Sequence, residues 1–263
     1  MSVMPESLES PPVTHRAPIH LRPTAELSER VLLPGDPGRA LALSQSLLSE
    51  PRMFNHHRGL WGYTGAALAD GKPLTIQSTG MGGPSAAIVL VELIALGVRR
   101  AIRVGTCGAL DGRLALGDML IAREAICADG TSQSLGAGER ASGDRALTEA
   151  LEHATVQQDA TAQQGERQMP RRTHAGATIV STDLFYDPDP ERNARWNNAG
   201  AVAVEMEAAS LFAVGAHAAV PVACLLTVSN TLGPEDRQEL IDDEALLKAA
   251  QAMGALATAA LAE

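Results

Sequence analysis

A chain of 263 residues, 45% of them hydrophobic, is long enough to bury a large core and fits one α/β domain as readily as two small ones; one is expected. A net charge of -10 argues against a nucleic-acid binder that works by phosphate neutralisation, and 3% aromatic residues leave little for base-stacking platforms. Cys107, Cys127 and Cys224 are far apart, lack any CxxC spacing and leave an odd count, which predicts reduced thiols in a cytoplasm and neither disulfides nor a metal.

Met1 to Ala17 is rich in Pro, Ser and Glu and has no apolar run, so it reads as a disordered extension rather than a signal or anchor, with the folded domain spanning 18–263. Arg30 to Leu33 reads as a strand that ends in Pro34-Gly-Asp-Pro-Gly-Arg39 and opens a helix. Asp36 is placed to cap that helix and Pro37 to start it. Backbone N–H groups at such a start attract anions and Arg39 adds a fork of donors suited to phosphate, although a capped helix with a solvated arginine fits equally. Arg58, in Asn55-His-His-Arg-Gly-Leu-Trp-Gly-Tyr63, is unremarkable alone. Leu74 to Ser78 reads as a buried strand, Gly80, Gly82 and Gly83 permit a tight turn, and Pro84 starts a helix to Leu96. That turn is either a ligand loop or plain strand-to-helix geometry.

The next strand, Ala101 to Val104, is interrupted by Arg103, a charge that is costly there without a partner. Gly105 and Gly108 bracket Thr106, whose hydroxyl and N–H suit an oxyanion that Arg103 neutralises; the alternative is an arginine paired with a core carboxylate. Met119 to Ile126 is a strand, Thr131 to Asp144 a polar surface loop, Arg145 to Ala154 a helix and Gln157 to His174 a second loop. Ala177 to Ser181 is a strand leading to Phe185 and Tyr186, where a ring either stacks on a base or packs in the core. Glu191 to Asn198 is helical and Gly200 to Val204 is a strand. It leads into a helix over Glu205 to Ala218 that opens with Glu205-Met-Glu207. Carboxylates there either favour the helix dipole or grip a sugar diol. Ala208 to Val228 holds no ionisable group but His217, yet Gly215 and Pro221 divide it into a helix and a strand rather than a membrane span. The strand Val222 to Ser229 delivers Asn230, a turn former or a hydrogen-bonding partner for a purine edge, before a last helix over Asp236 to Ala262. Alternation of this kind predicts a single α/β domain with a mixed, largely parallel sheet, helices on both faces, and a site at strand C-terminal ends.

Taken together and in this order, these motifs resemble the purine nucleoside phosphorylase and uridine phosphorylase family over roughly Ile19 to Leu261, most of all the bacterial, hexamer-forming purine enzymes. The resemblance implies a distorted, barrel-like sheet and reversible phosphorolysis of purine nucleosides, with phosphate as co-substrate and no metal or organic cofactor. It implies that Gly35, Arg39, Arg103 and Thr106 bind phosphate, with Arg58 reaching it from a neighbouring subunit. It implies that His20, also lent across the interface, meets the ribose with Met81, Met206 and Glu207, and that Cys107, Gly108, Phe185, Val204, Glu205, Ser229 and Asn230 face the base. Shared sites imply a homo-oligomer, dimers assembled into a hexamer, with no nucleic-acid or membrane partner.

The chain departs from the broad-specificity purine enzymes at Asn230, where they carry an Asp that protonates N7. An amide still donates a hydrogen bond to N7 or O6, which implies a preference for inosine and guanosine over adenosine. Arg237 matches the family's auxiliary arginine. Uridine phosphorylase is the alternative, since the resemblance implies that those enzymes share most of these motifs and can also carry Asn at the position of Asn230, but the Gln-x-Arg expected of a pyrimidine reader is reduced here to Arg192 within Asp189-Pro-Glu-Arg192. Hydrolytic nucleosidases do not need the phosphate arginines, and retention of Arg39, Arg58 and Arg103 weighs against a non-catalytic nucleoside binder.

Overall fold

The computed structural model describes residues 17–162, 172–232 and 239–262. Most of the N-terminal extension and Arg237 lie outside the described residues. Ten strands form one sheet: β1 (Arg30–Leu33), β2 (Leu48–Asn55), β3 (Gly62–Ala67), β4 (Pro73–Gln77), β5 (Arg100–Ala109), β6 (Met119–Ala128), β7 (Arg140–Ser142), β8 (Thr173–Thr182), β9 (Ala203–Glu205) and β10 (Val222–Thr231). The helices are α1 (Pro37–Leu47), α2 (Gly83–Ala95), α3 (Gly130–Ser134), α4 (Arg145–Ala162), α5 (Arg192–Asn198), α6 (Ala208–Ala218) and α7 (Asp243–Ala260).

The sheet closes on itself in part. Strand β10 pairs with both β5 and β6, and the circuit β10-β6-β8-β9-β5 returns to β10, while β1, β4, β3 and β2 extend from β5 as an open wing. That closed circuit with an open wing is the distorted barrel expected from the resemblance. Strands β1, β4, β5 and β10 run parallel, so their carboxyl ends share one edge. Strand β9 enters antiparallel to β5, with Val204 opposite Gly108. One face of the sheet is covered by α2 and α6 through Val89, Leu90, Leu93, Leu211 and Phe212. The other is covered by α1, α4 and α7 through Leu43, Leu151, Met253 and Leu256. Gly254 allows the closest approach there, since a Cβ would sit 2.7 Å from Leu43 Cδ2.

Several elements differ from expectation. The Thr131–Asp144 segment contains the end of α3 and the edge strand β7, and α4 continues through residues 157–162 of the second supposed loop. Helix α6 begins at Ala208 rather than Glu205, because Glu205 still belongs to β9 and Glu207, with φ -135°, is the N-cap. Helix α7 begins at Asp243, where the Asp242 side chain accepts from the Ala245 amide. Strand β5 runs on past Val104 to Ala109, so Thr106, Cys107 and Gly108 sit on the sheet, held by pairing with Thr227, Val228 and Asn230. Among the described residues, no helix is long and apolar enough to cross a membrane.

Candidate active site

The loop after β1 and the loop after β4 are tied together. Thr79 N donates to Pro34 O at 2.9 Å and Gly80 N to Gly35 O at 3.0 Å. Gly80 and Gly82 take φ of +73° and +87°, conformations that glycine adopts without strain, and the turn delivers Gly82 N to Glu207 Oε1 at 2.6 Å. Met81 points outward between them and is 85% exposed. On the other side Asp36 accepts from Arg39 N at 2.6 Å, so the capping expectation holds in the geometry of α1. The Arg39 guanidinium makes no ion pair among the described residues. Burial lowers its pKa, Asp36 opposes that, and the neighbouring Arg103 lowers it further. Two cations that feel each other's charge favour a nearby anion.

Arg103 is 3% exposed and is gripped by two carboxylates: Nε donates to Glu205 Oε2 at 2.9 Å and one terminal nitrogen meets Glu207 Oε2 at 2.5 Å. Burial works against its charge, but Glu207 and Glu205 more than compensate and raise its pKa above the usual value. The other terminal nitrogen, Nη1, is buried and has no protein partner. A buried, charged donor left over in this way is costly unless something accepts from it. Gly105 leaves the space that the guanidinium occupies: a Cβ there would stand 2.8 Å from Arg103 Cζ. Both readings of Arg103 therefore meet in one side chain, which pairs with core carboxylates and still offers a donor.

The two carboxylates differ. An ionised carboxylate has about four acceptor positions. Glu207 uses two, for Gly82 N and Arg103, and keeps capacity for hydroxyl donors. Glu205 is buried at 1% side-chain exposure and accepts from the Ser181 hydroxyl, Arg103 Nε, Glu207 N and Ala208 N. Burial raises its pKa, Arg103 lowers it and Glu207 raises it again, for a net upward shift. Its acceptor positions are taken up within the protein, so beside a base it would serve as part of the wall rather than as a free acceptor.

The remaining base-side residues form one row across the sheet. Val180, Val204, Gly108 and Asn230 are ladder partners on β8, β9, β5 and β10 in turn. Gly108 is a requirement of that row, since a Cβ would lie 3.1 Å from Asn230 Nδ2. The Ser229 hydroxyl lies 3.2 Å from Asn230 Oδ1 and 3.3 Å from the Cys107 carbonyl, which ties the oxygen end of the amide and leaves Nδ2 over Gly108. Cys107 is itself buried and its thiol pKa is raised, first by burial and then by Glu205, so it acts as a neutral wall. Phe185 and Tyr186 follow β8, exposed, with their rings edge to face at 4.9 Å. Met206, half-buried, lies between the two carboxylates, and Thr106 makes no side-chain hydrogen bond among the described residues.

The segments carrying His20 and Arg58 are joined through His57, and the Arg58 loop also packs on the glycine turn, where a Cβ at Gly80 would stand 3.5 Å from Leu60 Cδ2 and Ser78 N donates to Trp61 O at 2.9 Å. The His57 ring is 3.0 Å from the His20 carbonyl, and Asn55 accepts from Arg22 N at 2.8 Å while donating to Leu60 O at 2.5 Å. Arg58 itself is exposed and takes φ +59°, unusual for a residue with a Cβ. Glu92 of α2 accepts from the amides of Ile19, His20 and Leu21 and from the His20 ring at 2.7 Å. It lies nine residues beyond Gly83, so His20 is anchored about 13 Å along α2 from the glycine turn. Ser181 and Glu92 were not singled out from sequence, and Gly105 was noted only for bracketing Thr106; of the first two, Ser181, a hydroxyl closing an apolar strand, carried a local signal. Among the described residues, no three His, Cys, Asp or Glu side chains are grouped to hold a metal ion.

Residues 29–262 match the family model described as the phosphorylase superfamily, and the chain belongs to that family. Its curated relatives include a DeoD-type purine nucleoside phosphorylase of Caldanaerobacter subterraneus subsp. tengcongensis, 35% identical over 225 residues covering 83% of this chain and 92% of the relative. Another of the same description, from Alkaliphilus metalliredigens, is 36% identical over 208 residues, covering 79% and 84%. These relatives mark the chain as an enzyme of the pentosyltransferase class. Among solved structures, a uridine phosphorylase from Vibrio fischeri ES114 superposes with a TM-score of 0.76 at 24% identity, covering 90% of this chain and 92% of that one, which establishes the shared fold.

Proposed function

We propose that this enzyme catalyses reversible phosphorolysis of purine nucleosides to free base and pentose 1-phosphate, with a preference for 6-oxopurines. The observation that carries the reading is the buried, unpartnered Nη1 of Arg103 beside Glu207, a carboxylate with spare acceptor capacity, with Arg39 near enough to feel the Arg103 charge. An anion and a diol are thereby recognised side by side. Phosphate would be held by Gly35, Arg39, Arg103 and Thr106, with Arg58 supplied by a neighbouring subunit. It attacks C1' as the glycosidic bond stretches, and its own negative charge steadies the oxocarbenium-like centre. Glu207 accepts from the ribose hydroxyls, with Met81 and Met206 against the sugar and the neighbour's His20 at the 5' end. Cys107, Gly108, Val204, Phe185, Ser229 and Asn230 face the base, and the Asn230 amide donates to N7 or O6 as electrons flow into the ring.

The DeoD-type relatives favour the purine over the uridine reading, and so does Arg192. Its guanidinium donates to Leu184 O at 2.9 Å and Phe185 O at 3.1 Å, pairs with Asp187 at 3.3 Å and stacks over Trp196. An arginine so engaged is not presented to a pyrimidine carbonyl. Arg58 is exposed and makes no ion pair among the described residues, which leaves it available to a second copy and supports sites completed between subunits, in dimers that build a hexamer. Initial rates with inosine, guanosine, adenosine and uridine, each with and without phosphate, test the proposal. Phosphate-dependent cleavage led by inosine or guanosine supports it. Rates that ignore phosphate, or uridine cleaved fastest, would replace it.

A further inference from the structure

We propose that Glu205 is a positioning residue, fixed by Ser181, that aims Arg103 at phosphate and sets the start of the helix carrying Glu207. The inference rests on the phosphorolysis reading for the identity of the anion. Its physical content lies in the polarity of a buried chain of hydrogen bonds. Ser181 Oγ accepts from Ala209 N at 2.9 Å, so its single proton is directed to Glu205 Oε1. Glu205 Oε2 accepts from Arg103 Nε and from Glu207 N, both at 2.9 Å, and Ala208 N donates to the pair of oxygens at 3.0 Å. Every group facing the carboxylate is a donor.

A helix cap alone needs one acceptor, which a serine or asparagine supplies. Here a second oxygen is turned to Arg103, at the desolvation cost of a carboxylate with 1% exposure. The guanidinium is planar, so fixing Nε on Glu205 and one terminal nitrogen on Glu207 fixes the direction of the third, Nη1, the unpartnered donor. The same carboxylate binds the amide of Glu207, so the anion donor and the diol acceptor are registered by one side chain. Neither can move without disturbing the other.

Glu205→Gln preserves shape but introduces an NH2 that faces donors in either orientation. Hydrogen bonds to charged groups of this kind contribute enough that kcat/KM for phosphate should fall about ten- to a hundredfold. The ratio of inosine to adenosine kcat/KM should stay within about twofold of wild type, because both Glu205 oxygens are engaged within the protein and offer nothing that tells one purine from another. Ser181→Ala should move the same parameter in the same direction by a smaller factor, and it carries the test if Glu205→Gln does not fold. A second readout is the rise in Tm caused by inorganic phosphate alone, expected in the wild type and reduced in both variants. Wild-type phosphate kinetics and Tm response in the variants would overturn the inference, as would a changed purine ratio with unchanged phosphate kinetics. If instead wild-type turnover ignores phosphate while the variants still lose the phosphate-induced rise in Tm, the phosphorolysis reading fails and the role of Glu205 stands.

Discussion

Replacing Gly105 by alanine should damage phosphate use far more than it damages the fold. The added Cβ would sit 2.8 Å from Arg103 Cζ and Nη2 and 3.1 Å from Nη1, roughly 0.6 Å inside ordinary contact at 3.4 Å. The guanidinium cannot yield freely, because Glu205 holds it at 2.9 Å and Glu207 at 2.5 Å. Overpacking of this kind costs about 1–3 kcal/mol of stability. A displacement approaching 1 Å at a positioned group costs on the order of 10²-fold in rate, so kcat/KM for phosphate should fall by about one to two orders of magnitude. Gly112→Ala is the control, since nothing lies within 4 Å of its Cβ and its φ is not positive; its stability should change by less than about 0.5 kcal/mol. Initial rates across a phosphate titration, with urea midpoints for both variants, make the comparison. Unaltered phosphate kinetics in Gly105→Ala would refute the placement of Arg103.

Asn230→Asp should raise adenosine turnover relative to inosine, read from kcat/KM for the two substrates; an unchanged ratio would remove this position as the purine selector. Asp36→Ala removes the acceptor for Arg39 N, which should cost about 1 kcal/mol in a denaturant melt and raise the phosphate KM. Burial alone would raise the pKa of Glu92, but hydrogen bonds from Ile19, His20 and Leu21 outweigh it and hold the carboxyl below its usual 4.5. A depressed carboxyl stabilises above its unfolded value and loses that contribution as pH falls through the folded one, so anchoring of residues 19–21 should weaken below about pH 4.5. Hydrogen exchange of those amides, corrected for intrinsic rates and compared with β5, reads it; protection that persists in step with β5 would count against it. Finally, mixing inactive Arg58→Ala and Arg103→Ala subunits should restore activity, because the hybrid contains one site with both arginines, whereas self-contained sites would restore none.

Strands β1, β4, β6, β8 and β10 were legible because burial of continuous apolar runs leaves a plain mark. Strands β2 and β3 were not. The centre of β2, Ser49-Glu-Pro-Arg52, is exposed and bulged with Glu50 at φ +46°, and the glycines of β3 carry no alternation. Strand β2 is an edge, where side chains answer to solvent rather than to a core, whereas β3 is paired on both sides and largely buried, and its small residues lack the large or branched apolar side chains that mark a strand. The site's components were legible as motifs, since glycine turns and a charge inside an apolar strand are local signals. Their division of labour was not. Glu205 and Glu207 look alike in sequence, and only the approach of Arg103 across 102 residues, with Ser181 across 24, distinguishes the saturated carboxylate from the one with capacity to spare. The reach of β5 through Thr106 was hidden because glycines read as turns unless a neighbouring strand, here β10, is known to pair with them.

Phosphorus NMR of the enzyme acting on inosine in phosphate buffer tests the central claim most directly. The account predicts that inorganic phosphate is consumed as a new sugar 1-phosphate resonance grows in step with hypoxanthine. Release of hypoxanthine with the phosphate signal unchanged and free ribose accumulating would contradict it.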